Sequence, residues 1–260
     1  MDLHLTGRTA VVTGASRGIG AAIAEVLAEE RCDLHLAARS GPVLEETAER
    51  LRSAHHIKVN THVVDLRDPK DLVALAASTA DADILVNNAG DIRGGTIDTI
   101  DEETWRQGWD LKVYGYVNLT RLLYAQMKRR GKGVVVNIIG NAGERVDSRY
   151  LAGSTGNAAL MAFSRALGGN SLADGIRVVG VNPGPVATER MVTHLKNAAL
   201  SSLADESRYA ELTAHYPLGR PAEPREIADL VAFLASDRSG YTSGAVFTVD
   251  GGASSSTSLY

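Results

Sequence analysis

The sequence predicts an α/β protein built on a doubly wound parallel sheet of about seven strands, with helices on both faces giving three layers. Three observations lead there. Short apolar runs recur without polar alternation, as strands do when both faces of a sheet are covered. Stretches of helical character separate these runs. The first run hands over to a helix through a glycine turn, Thr13-Gly14-Ala15-Ser16-Arg17-Gly18-Ile19-Gly20.

Strands are expected near residues 8–13, 33–38, 58–64, 83–87, 133–139, 176–182 and 245–249, with helices in the intervals. The first helix starts at Ala21. Glycines at 14, 18 and 20 let the backbone turn tightly, approach a pyrophosphate closely and pack the helix on the strand, while free amides at the helix start attract phosphate. The run 83–86 feeds Asn87-Asn88-Ala89-Gly90, and Glu102 to Met127 reads as one long helix. Val134 to Ile139 is a buried strand, and Ile176 to Val181 is another that ends in Asn182-Pro183-Gly184. Residues 185–222 break the alternation and are mixed in polarity.

At 260 residues and 44% hydrophobic, the chain is large enough for a substantial core, and one domain over 1–260 is expected. The net charge of −4 and the scattered Lys and Arg residues argue against a nucleic-acid surface. No apolar run is long enough to span a bilayer, and Met1 to Arg8 lacks the pattern of a signal peptide, so no membrane role and a cytoplasmic location are expected. The single cysteine, Cys32, excludes an internal disulfide and opens an apolar strand, where a buried inert thiol is expected. No metal site is expected.

With these motifs in place, the chain from Leu5 to about Ser254 resembles the short-chain dehydrogenase/reductase family. The resemblance implies a Rossmann-like fold, a nicotinamide cofactor at the carboxyl ends of the strands and a small-molecule substrate. It also makes residues 185–222 a substrate lid. The final stretch Gly244 to Gly252 resembles family members that assemble, which implies a homotetramer or homodimer. Lid residues Arg190, Met191, His194, His215 and Tyr216 do not identify a substrate by sequence.

Cofactor choice follows from the end of the second strand. An NAD-specific site commonly puts a carboxylate there to accept from the ribose 2′-hydroxyl, but this chain has Ala38 followed by Arg39 and Ser40. Arg39, with Arg17 in the glycine turn, suits a 2′-phosphate, so NADP(H) is expected over NAD(H). Both arginines are also compatible with plain solvated charges. The resemblance extends the cofactor set to Asp65 and Leu66, where Asp65 matches the position that meets the adenine amino group, to Asn88, Ala89 and Gly90, and to Asn157, Pro183, Gly184, Val186 and Thr188.

The catalytic half departs from the family. Its members need a tyrosine as acid/base, a lysine that lowers the tyrosine pKa, a serine that polarises the carbonyl and an asparagine in a water relay. Val136-Asn137-Ile138-Ile139-Gly140 aligns with the strand end that finishes in serine, which puts Gly140 there. Asn157-Ala158-Ala159-Leu160 and Phe163 to Leu167 align with the catalytic helix, putting Gly153 at tyrosine and Asn157 at lysine. No lysine occurs between Gly133 and Lys196. At the asparagine position, with Trp105, Asp110 and Gly115 as anchors, stands Lys112.

Asparagine and lysine have thus exchanged places, and Lys112 is expected to bring an ammonium into the site from the opposite wall while Asn157 meets the nicotinamide ribose. An ordinary surface lysine is the competing interpretation. Tyr150, three residues before Gly153, is the nearest phenol, placed either one turn away on the helix or in the preceding loop; Tyr114 is a weaker candidate. Three functions are compatible with this pattern. They are an NADP(H)-dependent oxidoreductase with a rearranged acid/base system, an epimerase or lyase using a transient ketone, and a cofactor-binding regulatory or scaffold protein.

Overall fold

The computed structural model describes residues 1–256. Seven strands form one parallel sheet in the order β3-β2-β1-β4-β5-β6-β7. They are β1 (Thr9–Thr13), β2 (Asp33–Ala38), β3 (Val59–Val63), β4 (Ile84–Asn87), β5 (Gly133–Ile138), β6 (Ile176–Pro183) and β7 (Val246–Val249). All seven expected strands are present. Every pairing is parallel, with Val11 opposite His35 on one side and Leu85 on the other.

Helices cover both faces: α1 (Gly18–Glu29), α2 (Gly41–His55), α3 (Pro69–Ser78), α4 (Glu102–Trp109), α5 (Gly115–Arg130), α6 (Leu151–Ser171), α7 (Glu189–Leu203) and α8 (Pro224–Ala235). One core layer packs Ile23 and Leu27 of α1, Leu44 and Leu51 of α2 and Ile227 and Val231 of α8 beneath the sheet. The opposite layer joins Leu72 and Leu75 of α3 to Leu119 and Leu123 of α5, and Tyr116 meets Leu160 and Met161 of α6. Complete burial of such side chains stabilises by roughly 1.5–3 kcal/mol each. The strand order reverses between β1 and β4, so a crevice opens at their carboxyl ends, where ligands bind in sheets of this kind.

The helix expected over 102–127 is not continuous. Between α4 and α5 the chain makes a π-turn, Asp110–Tyr114, in which the Gly115 amide donates to the Asp110 carbonyl five residues back. Two glycines accommodate it. A side chain at Gly108 would press on Ile92, and one at Gly115 would press on Leu66. The extra residue turns Lys112 relative to a straight helix, and π-turns of this kind are frequent at functional sites.

Residues 185–222 contain α7, a 3₁₀ segment at Glu206–Thr213 and a tight turn at Pro217–Gly219. Helix α7 buries only Ala199, so it rests on the surface of the crevice and contributes little to the core.

Candidate active site

The glycine turn is built by backbone contact. A Cβ at Gly20 would overlap the Gly14 carbonyl and the Asn88 side chain, and Gly14 has φ +65° in the left-handed region. Thr13 and Asn88 lock this turn to the end of β4. The Thr13 hydroxyl accepts from the Asn88 and Ala89 amides at 2.9 and 3.1 Å, and the Asn88 amide side chain donates to the Thr13 carbonyl at 3.0 Å. Sequence reasoning identified Asn88 but missed this structural use of Thr13; a threonine directly before a glycine turn was the available signal.

Helix α1 has Arg17 at its N-cap, with no side-chain cap and no acidic residue in its first turn. Its unpaired amides face the crevice, a ready site for an anion. A cleft of ≈ 700 Å³ there is lined by Gly14, Ser16, Arg17, Gly18, Ile19, Arg39, Ser40, Leu66, Asn88, Ala89, Gly90 and Thr188, twelve of the residues expected to hold cofactor. Gly184 and Val186 line the cavity that continues from it. Gly20 and Pro183 lie buried behind the surface. Arg39 is exposed and makes no hydrogen bond or ion pair among the described residues. Arg67 donates to both carboxylate oxygens of Asp65 at 3.0 Å and holds its pKa down. Thr188 spends its hydroxyl on capping α7, accepting from the Met191 amide at 3.3 Å.

Lys112 and Asn157 meet directly. The Lys112 Nζ donates to Asn157 Oδ1 at 2.9 Å and to the Ile139 carbonyl. Gly156 makes this approach possible, since a Cβ there would press on Val113 and Trp109, and Trp109 Nε1 ties α4 to the start of α6 by donating to the Ala152 carbonyl at 2.9 Å. The stem of Lys112 runs past Gly90 on the wall of the cleft, where a Cβ would stand 3.0 Å from Lys112 Cδ. Desolvation, helped by the nearby Arg190 charge, pulls the lysine pKa down to about 8.

The two glycines at the departed positions have structural uses. Gly140 has φ +124° and ψ 140°, a conformation that side-chain-bearing residues rarely adopt, so the loop after β5 is not the one a serine would accept unchanged. At Gly153 a Cβ would overlap the Tyr150 ring. Tyr150 sits at the N-cap of α6, neither in the loop proper nor a full turn along the helix, and its ring fills the space that a side chain at 153 would take. Burial pushes the Tyr150 phenol above its usual range, with Arg190 opposing the rise and Asp91 adding to it. Tyr114 is half exposed at 52% and points away from these groups into a surface depression with Trp105 and Trp109.

One contact across the crevice was not anticipated. Arg190, near the start of α7, donates to Asp91 at 2.8 Å, tying the 185–222 segment to the turn after β4. Sequence spacing carries no trace of a pair 99 residues apart.

A family model described as enoyl-(acyl carrier protein) reductase matches residues 14–254 of this chain. The chain belongs to the short-chain dehydrogenase/reductase family. Among relatives of this family, oxidoreductase UcpA of Salmonella typhimurium is 35% identical over 254 residues, covering 95% of both chains. The 2-keto-3-deoxy-L-fuconate dehydrogenase of Xanthomonas campestris pv. campestris is 30% identical over 96% of this chain and 81% of its own. The solved L-sorbose reductase of Gluconobacter frateurii, complexed with NADPH and L-sorbose, matches with a TM-score of 0.93 and 34% identity over 100% of both chains. Among the described residues, no helix is long and apolar enough to cross a membrane.

Proposed function

We propose that this protein is an NADP(H)-dependent oxidoreductase of small hydroxy or keto compounds in which Lys112, and not a tyrosine-lysine pair, carries the proton. The observation that supports this most is the Lys112 ammonium, bonded to Asn157 at 2.9 Å, with its stem running past Gly90 and burial holding its pKa down to about 8. A group with a pKa near the working pH moves protons in both directions with the least penalty.

The cofactor fits the residues present. The uncapped start of α1 and the close glycine turn would take the pyrophosphate, and the unpaired Arg39 with Arg17 would take a 2′-phosphate. NADPH bound to the related L-sorbose reductase supports the same choice. When bound, the nicotinamide supplies or accepts a hydride.

The protein's own groups then divide the remaining work. Lys112 protonates a developing alkoxide during carbonyl reduction and takes the proton back during alcohol oxidation. Asn157 and the Ile139 carbonyl hold the ammonium in place as acceptors. Tyr150 stays a neutral phenol at neutral pH, because burial raises its pKa, and so acts as a hydrogen-bond donor to the substrate oxygen. Residues 185–222 close over the bound pair as a lid, with Arg190 and Asp91 as the contact between its two sides.

Turnover of a panel of polyols, keto sugars and the corresponding sugar acids with NADP⁺ and NADPH, followed by absorbance and by product mass, tests this assignment. Lys112→Met is expected to lower kcat about 10²- to 10⁴-fold, the usual range for a positioned acid/base, with NADP⁺ affinity within about twofold of the original. Unaltered kcat in that variant would remove Lys112 as the proton carrier, and cofactor binding with no turnover across the panel would shift the function to a regulatory or scaffold role.

A further inference from the structure

The cavity that continues from the cofactor cleft has an unusual charge balance for a chain of net charge −4. Its ≈ 820 Å³ are lined by Arg39, Arg67, Arg93 and Arg190, with Asp91 the one carboxylate among its lining residues. Three of the arginines are accounted for. Arg67 is paired with Asp65, Arg190 is paired with Asp91, and Arg39 lies at the end of β2, on the side of the crevice where the glycine turn would hold the adenosine half of a cofactor. Arg93 remains. It follows β4, on the far side of β1 from Arg39, and so stands toward the end of the crevice where Lys112 and Tyr150 lie.

Arg93 is exposed, feels Asp101 electrostatically, and bonds to no carboxylate among the described residues. His194 of α7 lines the same cavity and likewise makes no hydrogen bond among the described residues. A guanidinium left unpaired in a cavity whose lining is otherwise cation-rich offers a planar two-point contact to an oxyanion, and the low-dielectric walls focus its field. Resting on the oxidoreductase proposal above, we infer that the substrate carries an anionic group, a carboxylate, which Arg93 clamps at the end remote from the reacting carbon. His194 adds a second donor when the lid segment is down. The substrate class is then a hydroxy or keto acid of sugar size, in preference to a neutral sugar or alditol.

The test uses pairs that differ only in charge: aldonates, the matching neutral alditols, and hexose 6-phosphates as a second anion. Each is titrated by calorimetry into the full chain saturated with NADP⁺, and each is assayed for NADP⁺-linked oxidation. Aldonates are expected to bind at least about tenfold more tightly than their alditols, and Arg93→Gln to weaken aldonate binding about 10- to 100-fold, the size of one charge-assisted bidentate contact. Arg93→Lys, which keeps the charge but loses the fork, should recover part of that loss, which a merely structural role would not produce. NADP⁺ affinity of the Arg93 variants reports whether the crevice is intact. Hexose phosphates binding in place of aldonates, with the same dependence on Arg93, would support the anion subsite and assign its group as phosphate. Arg93-dependent anion binding without any oxidation would support the subsite and sink the redox assignment alone. The inference fails if alditols bind as tightly as the anions, if Arg93→Gln weakens both equally, or if no anion binds at about 10 mM, weaker than a specific contact would leave it.

Discussion

Lys112 should leave a pH signature on both stability and turnover, and its sign follows from the direction of the pKa shift. The lysine falls from the ordinary 10.5 to about 8 because the folded state withdraws it from water and sets it near Arg190. Below about pH 8 both folded and unfolded states carry the proton, so Lys112 adds no pH dependence there. Between about 8 and 10.5 the unfolded chain binds the proton and the folded chain does not, so stability rises with pH through that window. At 1.36 kcal/mol for each pH unit the full span amounts to roughly 3 kcal/mol, and about 2 kcal/mol of it is expressed between pH 7.5 and 9.5. Other groups titrate there as well, so the quantity to measure is the difference between the original protein and Lys112→Met, unfolded in urea at one protein concentration. The variant also strips the donor from the Ile139 carbonyl and Asn157 Oδ1, at about 1 kcal/mol each, but that loss is independent of pH and cancels between the two pH values. Turnover should follow the same group: carbonyl reduction falling above about pH 8, alcohol oxidation rising through it, and both steps absent from Lys112→Met. A stability difference that is flat, or that runs against the original protein as pH rises, would mean that the two acceptors hold the ammonium more strongly than burial disfavours it. The proton-carrier role of a lysine near neutral pH would then be wrong.

Four further outcomes are expected. Arg39→Ala should remove most of the preference for NADP⁺ over NAD⁺, roughly 1–3 kcal/mol, which calorimetry with each cofactor reads directly. Gly153→Ala should be destabilising by about 1–3 kcal/mol through its overlap with the Tyr150 ring, and Tyr150→Ala in the same chain should recover much of that loss; additive effects in the double-mutant cycle would contradict the packing described. Restoring Gly153→Tyr alone should not create efficient ketone reduction, because the new phenol would collide with Tyr150 and find Asn157, not a lysine, one helical turn on. Gly20→Ala should abolish cofactor binding and lower the melting temperature, since its Cβ meets the backbone carbonyl of Gly14; a variant that binds NADP⁺ normally would show that the turn has slack.

The phosphate turn, the seven strands and the parallel order were legible in the sequence because each depends on local rules. Apolar runs mark strands buried on both faces, and glycines mark positions where any side chain would collide. The expected exchange of lysine and asparagine was legible only as two positions. Their contact at 2.9 Å required the π-turn at Asp110–Tyr114 and the gap at Gly156, neither of which has a period or composition to betray it. Tyr150 shows the same limit, since spacing alone left it between the loop and the helix, while packing put its ring over Gly153. Distant pairs were beyond reach altogether: Arg190 meets Asp91, and Arg93 joins Arg39 on one cavity, only because chain segments far apart in sequence converge on the crevice where the strand order reverses. The sequence by itself determined the strands, the turn and the cofactor cleft, since those are set by backbone sterics and by burial. Which charges remain unpaired in that cleft was decided by tertiary structure alone, because pairing depends on distances that no linear pattern records.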